Sequence, residues 1–457
     1  MSRTLACLIA VLLLSLSLTA CGGGEEAPPA GTEPVGGTVT IDFWHSEQAS
    51  SQTALQALID RFNASQAEVE VRLLFQGTPT ELNIKLVNSL RSGAVPALLE
   101  TNEGAAQTMV DSGAVTPVQE FIDAEAYDLS DFDGKAVDYY SWDGKLNAMP
   151  LGIIVPLLFY NKIPFQEVGL DSEKPPQTLD DVRAYSEKLF KVDSAGNVVR
   201  SGIALDIQSW YMDVILGEHG DLFVNNNNGR DGRPTEVLFN NPTGQAFFRW
   251  WDEMVDSGLA FNVGRNPGGA DALMAVASGR VVMAVSISSA LRSAIDVVEA
   301  GLKGVELGVG PFPGVAGGSG KPSIFGRALW IMNQRSEAEQ RAAWKLVRWL
   351  AEPEQQAELF AGTGFLPIRL SAYEMDASRQ VLEKYPLYQV PVDLSVGVPS
   401  TPERLGPRIG PSARGGEIVN QALEEMVAGG KDPDEALKDA AADYTKELQD
   451  YNRRVGE

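Results

Sequence analysis

The sequence has few of the residues that build disulfides and metal sites. It contains two cysteines and two histidines in 457 residues. Cys7 and Cys21 both lie near the N-terminus, so a disulfide framework across the rest of the chain is excluded. His45 and His219 cannot supply the histidine pair at helical spacing that many zinc sites require. We therefore expect no bound metal, and stability that comes from hydrophobic cores.

Basic residues are also scarce relative to acidic ones. The 37 lysines and arginines face 61 aspartates and glutamates, which gives a formal net charge of −24 at pH 7. Nucleic acids and anionic lipid surfaces attract basic proteins, so this balance predicts no nucleic-acid partner. A small anionic ligand is still compatible with it, because screening over about 10 Å limits the long-range field and a few donors in a cleft suffice.

Sequence motifs of catalysis are lacking. There is no Gly-x-Ser-x-Gly sequence of the kind that holds a nucleophilic serine. Residues 317 to 322 are rich in glycine, like a phosphate-binding loop, but Pro322 stands where a serine or threonine would hold magnesium. Carboxylates are plentiful, yet without a known geometry they identify no acid-base pair. We predict that the protein is not an enzyme and has no catalytic residues and no cofactor; a surface-anchored hydrolase is the least favoured alternative.

The N-terminal apolar run, residues 8 to 18, is shorter than the roughly 20 residues that span a bilayer. It leads into Leu18-Thr19-Ala20-Cys21, which resembles the bacterial lipobox, whose cysteine becomes the lipidated first residue of the mature protein. We predict a lipoprotein signal segment over residues 1 to 21, with Cys21 as the lipidation site. Residues 22 to 37 are predicted to be a disordered tether. The protein would then be extracytoplasmic and anchored to the cell membrane by lipid.

The remaining sequence, about 420 residues, alternates short apolar runs with amphipathic stretches. This alternation is typical of α/β folds. Val39, Ile41 and Phe43 alternate with polar residues as in a strand, and the apolar residues between 55 and 62 follow helical spacing. The length is sufficient for two hydrophobic cores.

Three motifs, in this order and spacing, resemble landmarks of the extracellular solute-binding proteins that serve carbohydrate-type ABC importers. They are Phe43-Trp44-His45-Ser46, Phe159-Tyr160-Asn161-Lys162 and Ala328-Leu329-Trp330-Ile331. Two further segments are similar to the glycerol-3-phosphate-binding members of that superfamily: Thr363-Gly364-Phe365-Leu366-Pro367-Ile368, and Arg404-Leu405-Gly406 with Pro411 and Arg414 downstream. The similarity covers residues 38 to 455.

The resemblance implies a two-lobed α/β fold of the periplasmic-binding-protein type, like that of maltose-binding protein. We expect three crossings between the lobes, near residues 151 to 156, 284 to 289 and 327 to 332. The N-terminal lobe would comprise residues 38 to 152 plus 288 to 328, and the C-terminal lobe residues 156 to 286 plus 332 to 457. The resemblance also implies a monomer that closes on a small polar ligand and delivers it to the membrane subunits of an ABC permease.

The resemblance further implies four ligand contacts. Carried over from the glycerol-3-phosphate binders, they are Glu103, Ser288, Gly326 and Arg414. Glu103 can accept hydrogen bonds from two hydroxyls, and Arg414 offers a planar fork to phosphate oxygens. A backbone N–H near Ser288 or Gly326 can cap an oxyanion. Each has a structural alternative, since a lone Glu or Arg is usually solvated and a glycine often serves a turn.

Some positions differ from the glycerol-3-phosphate binders. Pro79 replaces a tyrosine, Ile153 and Ile154 replace a serine pair, and Phe365 replaces the tyrosine of Thr-Gly-Tyr. These changes remove hydroxyl groups, so we predict a more apolar cleft, suited to a ligand with an apolar or quaternary ammonium portion, or to a sugar. Two ligand classes stay open. The retained acidic residue and arginine favour a phosphorylated glycerol derivative, and the lost hydroxyls favour an oligosaccharide or sugar alcohol.

Aromatic side chains are also expected to line the cleft, where rings can stack on a sugar face or hold a cation. The candidates are Trp44, Trp210, Tyr211, Phe325 and Trp330, which fall at the cleft-facing ends of predicted elements, together with Phe365. Other tryptophans lie at helical spacing inside amphipathic helices and are predicted to be core residues: Trp250, Trp251, Trp344 and Trp349.

Overall fold

The computed structural model describes residues 37–266, 269–318 and 322–456. The predicted signal segment, with Cys21, and the tether up to residue 36 lie outside the described residues, as do residues 319 to 321 of the glycine-rich run. Thr38–Glu457 form one unit by their contacts. Within the described ranges, none of the helices combines the length and the apolar character needed to cross a membrane.

Fourteen strands occur in the described part of the chain. They are β1 (Val39–His45), β2 (Val69–Phe75), β3 (Leu98–Asn102), β4 (Val115–Thr116), β5 (Ser141–Trp142), β6 (Lys145–Leu146), β7 (Met149–Ile154), β8 (Pro156–Asn161), β9 (Lys191–Val192), β10 (Val198–Ile207), β11 (Ala260–Arg265), β12 (Val281–Ile287), β13 (Leu307–Pro311) and β14 (Phe325–Met332).

The same residues form nineteen helices. They are α1 (Ala49–Ser65), α2 (Pro79–Ser92), α3 (Ala106–Asp111), α4 (Val118–Glu125), α5 (Gly134–Tyr139), α6 (Lys162–Glu167), α7 (Leu179–Leu189), α8 (Trp210–His219), α9 (Asn225–Gly229), α10 (Pro242–Asp256), α11 (Asp271–Ala277), α12 (Leu291–Glu299), α13 (Glu337–Leu350), α14 (Pro353–Thr363), α15 (Asp376–Lys384), α16 (Gln389–Ser395), α17 (Pro402–Leu405), α18 (Ser412–Val427) and α19 (Pro433–Val455). Short 3₁₀ turns lie at Glu103–Ala105, Ser288–Ala290, Leu370–Glu374 and Pro386–Tyr388.

The first lobe is built on a six-stranded sheet of order β2-β1-β3-β14-β4, with β7 also paired to β14. β1 is parallel to β2 and β3, whereas β14 is antiparallel to β3, β4 and β7. Helix α13 packs on β1 and β14, α2 on β3, and α5 on β7. All six residues of β7 are buried, which accounts for its near-continuous apolar sequence.

The second lobe has its own sheet, of order β11-β10-β12-β8-β13, with β9 paired to β10. β10 is parallel to β11 and β12, and β8 is antiparallel to β12 and β13. Helices α7, α8, α10, α18 and α19 contribute to a hydrophobic core that is separate from the core of the first lobe. The predicted α/β fold with two lobes is confirmed.

Two crossings between the lobes lie side by side. Val155 separates β7 of the first sheet from β8 of the second, and the chain returns to the first lobe after β12, at Ser288. The Ser288 N–H donates to the Val155 carbonyl at 2.8 Å, and the Val155 N–H donates to Ser288 Oγ at 3.2 Å. These bonds join the two crossing points into one hinge.

The third crossing is not where the sequence predicts it. Residues 327 to 332 lie inside β14, and Trp330 is 0% exposed. The chain instead changes from the second sheet to the first between the end of β13 at Pro311 and the start of β14 at Phe325. A central strand and a crossing segment are both buried on all sides, so both have an apolar sequence and the sequence alone does not distinguish them.

Two pieces of chain belong to a different lobe from the one that the resemblance implies. β13 lies within residues 288 to 328 but pairs with β8 in the second sheet. Helices α13 and α14 lie within residues 332 to 457 but pack in the first lobe, α13 on β1 and β14 and α14 on α1. An amphipathic helix has an apolar face but does not specify which sheet will cover it. Of the C-terminal residues, α18 and α19 do join the second core.

Candidate ligand-binding cleft

A small cavity of about 20 Å³ lies where the two lobes meet. The first lobe supplies most of its wall from α5, β7 and the turn after β3, and the segment that enters β14 completes it. Leu405 also lines it and belongs to α17, which packs on α8 of the second lobe. Other lining residues are Glu103, Tyr139, Tyr140, Gly152, Ile153, Ile324, Phe325 and Gly326.

Glu103 begins the 3₁₀ turn after β3 and faces this cavity. Its Oε2 accepts a hydrogen bond from the Gly326 N–H at 3.4 Å, and its backbone carbonyl accepts one from the Tyr139 hydroxyl at 3.1 Å. Burial raises the pKa of the Glu103 carboxyl, and the positive charge of Arg327 opposes that rise. The carboxylate therefore keeps spare acceptor capacity for the hydroxyls of a ligand.

A buried charge network lies behind Glu103. Arg327 Nε donates to Glu47 Oε1 at 3.0 Å and lies 3.4 Å from Glu100 Oε1. Burial raises the pKa of Glu47 to about 7, although Arg327 works against the shift. The Arg327 guanidinium thus balances part of the negative charge around Glu103 and ties β14 to the neighbouring strands.

Two glycines allow the cavity wall to form close to the backbone. A Cβ at Gly326 would lie 3.2 Å from the Gly152 carbonyl oxygen and 3.5 Å from the Tyr140 hydroxyl. A Cβ at Gly152 would lie 2.9 Å from the Cβ of Phe365. Phe365 is 1% exposed, so it packs behind the wall and its ring does not belong to the lining.

Ser288 is buried at the hinge and does not line the cavity. It is 0% exposed, and its hydroxyl oxygen already accepts the Val155 N–H in the hinge. The cavity wall is formed nearby by Ile153, one of the two residues that replace the serine pair. The structure therefore gives Ser288 a role in joining the crossings.

Arg414 lies in the first turn of α18, at the boundary between the lobes. The Ser412 hydroxyl donates to the Gly104 carbonyl of the first lobe, and a Cβ at Gly416 would lie 2.9 Å from Ser209 Oγ of the second lobe. Arg414 is exposed, and no hydrogen bond or ion pair engages it within the described residues. The helix begins without a side-chain cap, at Pro411. A free guanidinium beside uncapped helix N–H groups is suited to binding an anion.

The aromatic candidates separate into cleft and core residues. Trp210 on α8 is half-buried, and its ring meets Phe325 of the cavity lining edge-on at 6.1 Å between centroids. Trp44 is half-buried in β1 with Lys85 Nζ 4.3 Å from its ring centre, away from the cavity lining. Trp330 donates from Nε1 to Thr101 Oγ1 at 2.9 Å inside the first core. The expectation that Trp330 faces the cleft is wrong, because β14 is a central strand.

Asp213 on α8 does not line the cavity but lies close enough to Glu103 to interact with it electrostatically, and the sequence did not identify it. Its Oδ1 atom is buried and has no hydrogen-bond partner among the described residues. Burial raises the pKa of Asp213 to about 8, and the nearby charge of Glu103 adds to the rise. The signal that could have revealed it is its position as a lone acid within residues 210 to 216, which are otherwise apolar or aromatic.

Polar contacts hold the two lobes against each other across the cleft. Asp111 at the end of α3 accepts two hydrogen bonds from Arg233, at 2.8 and 2.6 Å, and a third from the Tyr451 hydroxyl at 2.8 Å. Arg408 donates to the Tyr139 carbonyl at 3.0 Å. Arg233, Tyr451 and Arg408 lie on the side of the second lobe, so the structure shows the lobes in contact.

Residues 57–388 match the family of bacterial extracellular solute-binding proteins. The chain belongs to this family. The sn-glycerol-3-phosphate-binding periplasmic protein UgpB of Pectobacterium atrosepticum is 30% identical to this solute-binding protein over 408 residues, which cover 88% of this chain and 89% of the relative. UgpB of Salmonella typhimurium is 30% identical over 417 residues, or 90% of this chain and 92% of the relative.

Solved structures share the same fold. UgpB of Mycobacterium tuberculosis in complex with glycerophosphocholine has a TM-score of 0.75 at 20% identity, covering 92% of this chain and 100% of that chain. Maltose-bound MalE3 of T. maritima has a TM-score of 0.74 at 18% identity, covering 90% and 99%. The predicted maltose-binding-protein-like fold is confirmed, and so is the prediction of an extracytoplasmic solute-binding protein that is not an enzyme.

Proposed function

We propose that this solute-binding protein captures a glycerol-3-phosphate-type or glycerophosphodiester ligand and delivers it to the membrane subunits of an ABC importer. The observation that carries the proposal is the pair of complementary groups at the cleft. Glu103 faces the cavity from the first lobe, and Arg414 is exposed at the start of α18. The relatives named as sn-glycerol-3-phosphate-binding proteins support the same ligand class.

The glycerol end of the ligand would lie against Glu103. A carboxylate can accept hydrogen bonds from two neighbouring hydroxyls at once. Among the described residues, two backbone N–H groups donate to this carboxylate. One belongs to Glu103 itself, and the other is the Gly326 N–H, 3.4 Å from Oε2. Because this bond is long, hydroxyls of a ligand would add to it at little cost to existing contacts.

The phosphate would lie against Arg414 and the first turn of α18. A guanidinium fork and a phosphate form two parallel charge-assisted hydrogen bonds. The uncapped N–H groups of the helix add a favourable field for the same anion. Since α18 also contacts Gly104 of the first lobe through Ser412, phosphate binding there would favour contact between the lobes.

An oligosaccharide or sugar alcohol is the second candidate ligand. Ile153 in the cavity wall and Phe365 behind it supply no hydroxyls, and Trp210 and Phe325 offer aromatic surface near the cavity. Aromatic rings beside acidic acceptors are also typical of sugar sites. A solved structure with the same fold contains maltose, which is compatible with this alternative.

The proposal includes a lipid anchor and a monomeric state. Cys21 follows a short apolar segment in a lipobox-like sequence, which supports acylation at the outer face of the cell membrane. A flexible tether over residues 22 to 37 would let the two lobes reach the permease. Cys21→Ala should abolish labelling with radioactive palmitate and release the protein from membranes.

Thermal denaturation with a ligand panel tests the proposal. A ligand that binds the folded state alone, at 100 times its Kd, stabilises that state by about 2.7 kcal/mol. We expect glycerol 3-phosphate or glycerophosphocholine to raise the melting temperature, and maltose and sorbitol to leave it unchanged. Glu103→Gln should reduce the shift, because a neutral amide is a weaker acceptor. A shift with the sugars alone would replace the proposed ligand class with the second candidate.

A further inference from the structure

Asp213 and Glu103 approach the same region from opposite lobes. The segment that leads into β14 connects them: the Ser323 hydroxyl donates to the Asp213 carbonyl at 3.4 Å, and the Gly326 N–H donates to Glu103 Oε2 at 3.4 Å. Three residues of extended chain span at most about 11 Å. The two acidic residues therefore lie within the length of one small molecule.

The Glu103 and Asp213 carboxylates both influence the pKa of Tyr139. Tyr139 lines the cavity, and burial together with the negative charges of Glu103 and Asp213 raises its pKa. The positive charges of Arg230 and Arg408 oppose that rise, and the Arg408 guanidinium donates hydrogen bonds to backbone carbonyls, including that of Tyr139. Within the described ranges, no lysine or arginine hydrogen-bonds to either carboxylate. Arg327 interacts electrostatically with Glu103 without a hydrogen bond to its carboxylate, so both acids keep acceptor atoms free for a ligand.

A second, independent feature of the site is a buried hydroxyl without a partner. Tyr140 is 2% exposed and lines the cavity, and its hydroxyl has no hydrogen-bond partner among the residues described. That hydroxyl would lie 3.5 Å from a Cβ at Gly326, at the wall that Glu103 also contacts. Oδ1 of Asp213 is likewise buried and unpaired. Such groups are costly unless a ligand satisfies them.

An aromatic surface adjoins the carboxylates. Trp210 precedes Asp213 by three residues on α8, so the two share a helix face. Its ring also meets Phe325 of the cavity lining. Aromatic faces combined with negative charge are the groups that bind organic ammonium ions.

We infer that Asp213, together with Trp210, forms a subsite for a positively charged group of the ligand, next to the Glu103 carboxylate that accepts the glycerol hydroxyls. Asp213 is then a specificity-determining residue, which favours glycerophosphodiesters with an ammonium head group over glycerol 3-phosphate, a ligand with negative charge alone. The inference rests on the proposed function and names its ligand more closely. Glu103 alone would serve any glycerol derivative, whereas the second carboxylate selects by charge.

Calorimetric titration of the purified protein tests the role of Asp213 separately from the proposed ligand class. The ligands are glycerophosphocholine and glycerophosphoethanolamine, which carry an ammonium group, and glycerol 3-phosphate and glycerophosphoinositol, which do not. Asp213→Asn keeps the shape of the side chain and removes its charge. Glu187→Gln, at an exposed position on α7, is the control for net charge.

We expect Asp213→Asn to weaken binding of the two ammonium ligands at least tenfold, and to leave glycerol 3-phosphate and glycerophosphoinositol within about twofold of wild type. Glu187→Gln should change none of the four. Equal weakening of all four, or of none, would overturn the role of Asp213 while leaving the proposed function intact. If the wild-type protein binds none of the four, the proposed function fails as well.

Proton release provides a test that needs no variant. Burial and the charge of Glu103 raise the pKa of Asp213 to about 8, so a bound cation should expel a proton at pH 7. The ionisable groups in electrostatic contact with Asp213 are Glu103, Tyr139 and Tyr444. Titrating glycerophosphocholine in two buffers of different ionisation enthalpy should show release of a fraction of a proton. No release with this ligand would contradict the subsite.

Discussion

Arg414 and Glu103 are the two oppositely charged residues that we propose contact the ligand. Arg414 is exposed in the first turn of α18, and Glu103 is held in the wall of the cavity. Neither residue has the paired environment of a structural salt bridge within the described part of the chain. Arg414 and Glu103 are therefore available to a ligand, whereas Arg327 and Glu47 bind each other at 3.0 Å behind the cavity.

The arginine can be tested by substitution. Arg414→Ala should weaken binding of a phosphorylated ligand by roughly 2 to 4 kcal/mol, because a charge partner of the phosphate is lost. Arg414→Lys should recover part of the loss, since an ammonium cannot make two parallel hydrogen bonds. Isothermal titration calorimetry measures both. Arg379→Ala, at an exposed arginine on α15, is the matched control. A loss below about 0.5 kcal/mol for Arg414→Ala would contradict the phosphate contact.

The raised pKa of Asp213 predicts how stability depends on pH. Its pKa is about 8 in the folded protein and 3.8 in a model compound. A raised pKa means that the folded state holds the proton longer, so this group favours folding at low pH and loses that contribution as pH rises toward 8. The melting temperature of Asp213→Asn relative to wild type should therefore increase between about pH 4 and 8 and then level off. A constant difference across this range would show that the Asp213 carboxyl titrates normally.

Several residue identities at the site could be predicted from the sequence, but their surroundings could not. Glu103 and Gly326 line the cavity, and their contact with a ligand stays a prediction. Ser288 and Phe365 are buried behind the cavity. The sequence did not show this, because the position of a residue in an alignment does not say how deeply its side chain is buried. Asp213 was missed because it matters through its electrostatic interaction with Glu103, which is 110 residues away in the chain and leaves no trace in the local sequence pattern.

At the scale of elements, the approach of β7 to β14 sets the size of the cavity. Gly326 of β14 pairs with Ile153 of β7, and a Cβ added at Gly326 would lie 3.2 Å from the Gly152 carbonyl oxygen, in the cavity wall. Gly326→Ala should weaken ligand binding about tenfold, because the added methyl occupies ligand space near Tyr140 and the Gly152 carbonyl. Calorimetry and thermal denaturation together measure the effect.

The control for this substitution is Gly134→Ala in α5, where an added Cβ meets nothing within 4 Å. Gly134→Ala should leave affinity unchanged and keep or slightly raise stability. If Gly326→Ala lowers the melting temperature by many degrees with unchanged affinity, Gly326 serves packing alone.

Element type was easier to predict than element partners. Alternating residues identified β1, and helical spacing identified α1 and α13. The sequence did not reveal that α13 and α14 cover the first sheet, or that β13 joins the second. Local periodicity determines which face of an element is apolar, whereas the partner that covers this face depends on the path of the whole chain.

At the scale of the molecule, the lobes are held together by a few polar contacts. Asp111 is bonded to Arg233 and Tyr451 across the cleft, and its side chain is 4% exposed. Since Asp111 lies outside the cavity lining, we expect it to affect ligand binding only by favouring contact between the lobes. Ligand affinity should then depend on residues that never touch the ligand.

Asp111→Asn tests this dependence. Losing the bidentate ion pair should favour separated lobes, so the radius of gyration without ligand should increase and affinity should fall about tenfold. Small-angle X-ray scattering and calorimetry measure the two effects. Asp296→Asn, which disrupts an ion pair within the first lobe alone, is the control. Unchanged scattering and affinity in Asp111→Asn would show that the contact does not hold the lobes together.

A crystal structure of the protein grown with glycerophosphocholine tests the central claim most directly. The account predicts one ligand molecule between the lobes, with glycerol hydroxyls within hydrogen-bond distance, about 3.2 Å, of the Glu103 carboxylate and phosphate oxygens equally close to Arg414. Ligand density away from both residues, or an empty cleft at saturating ligand, would contradict it.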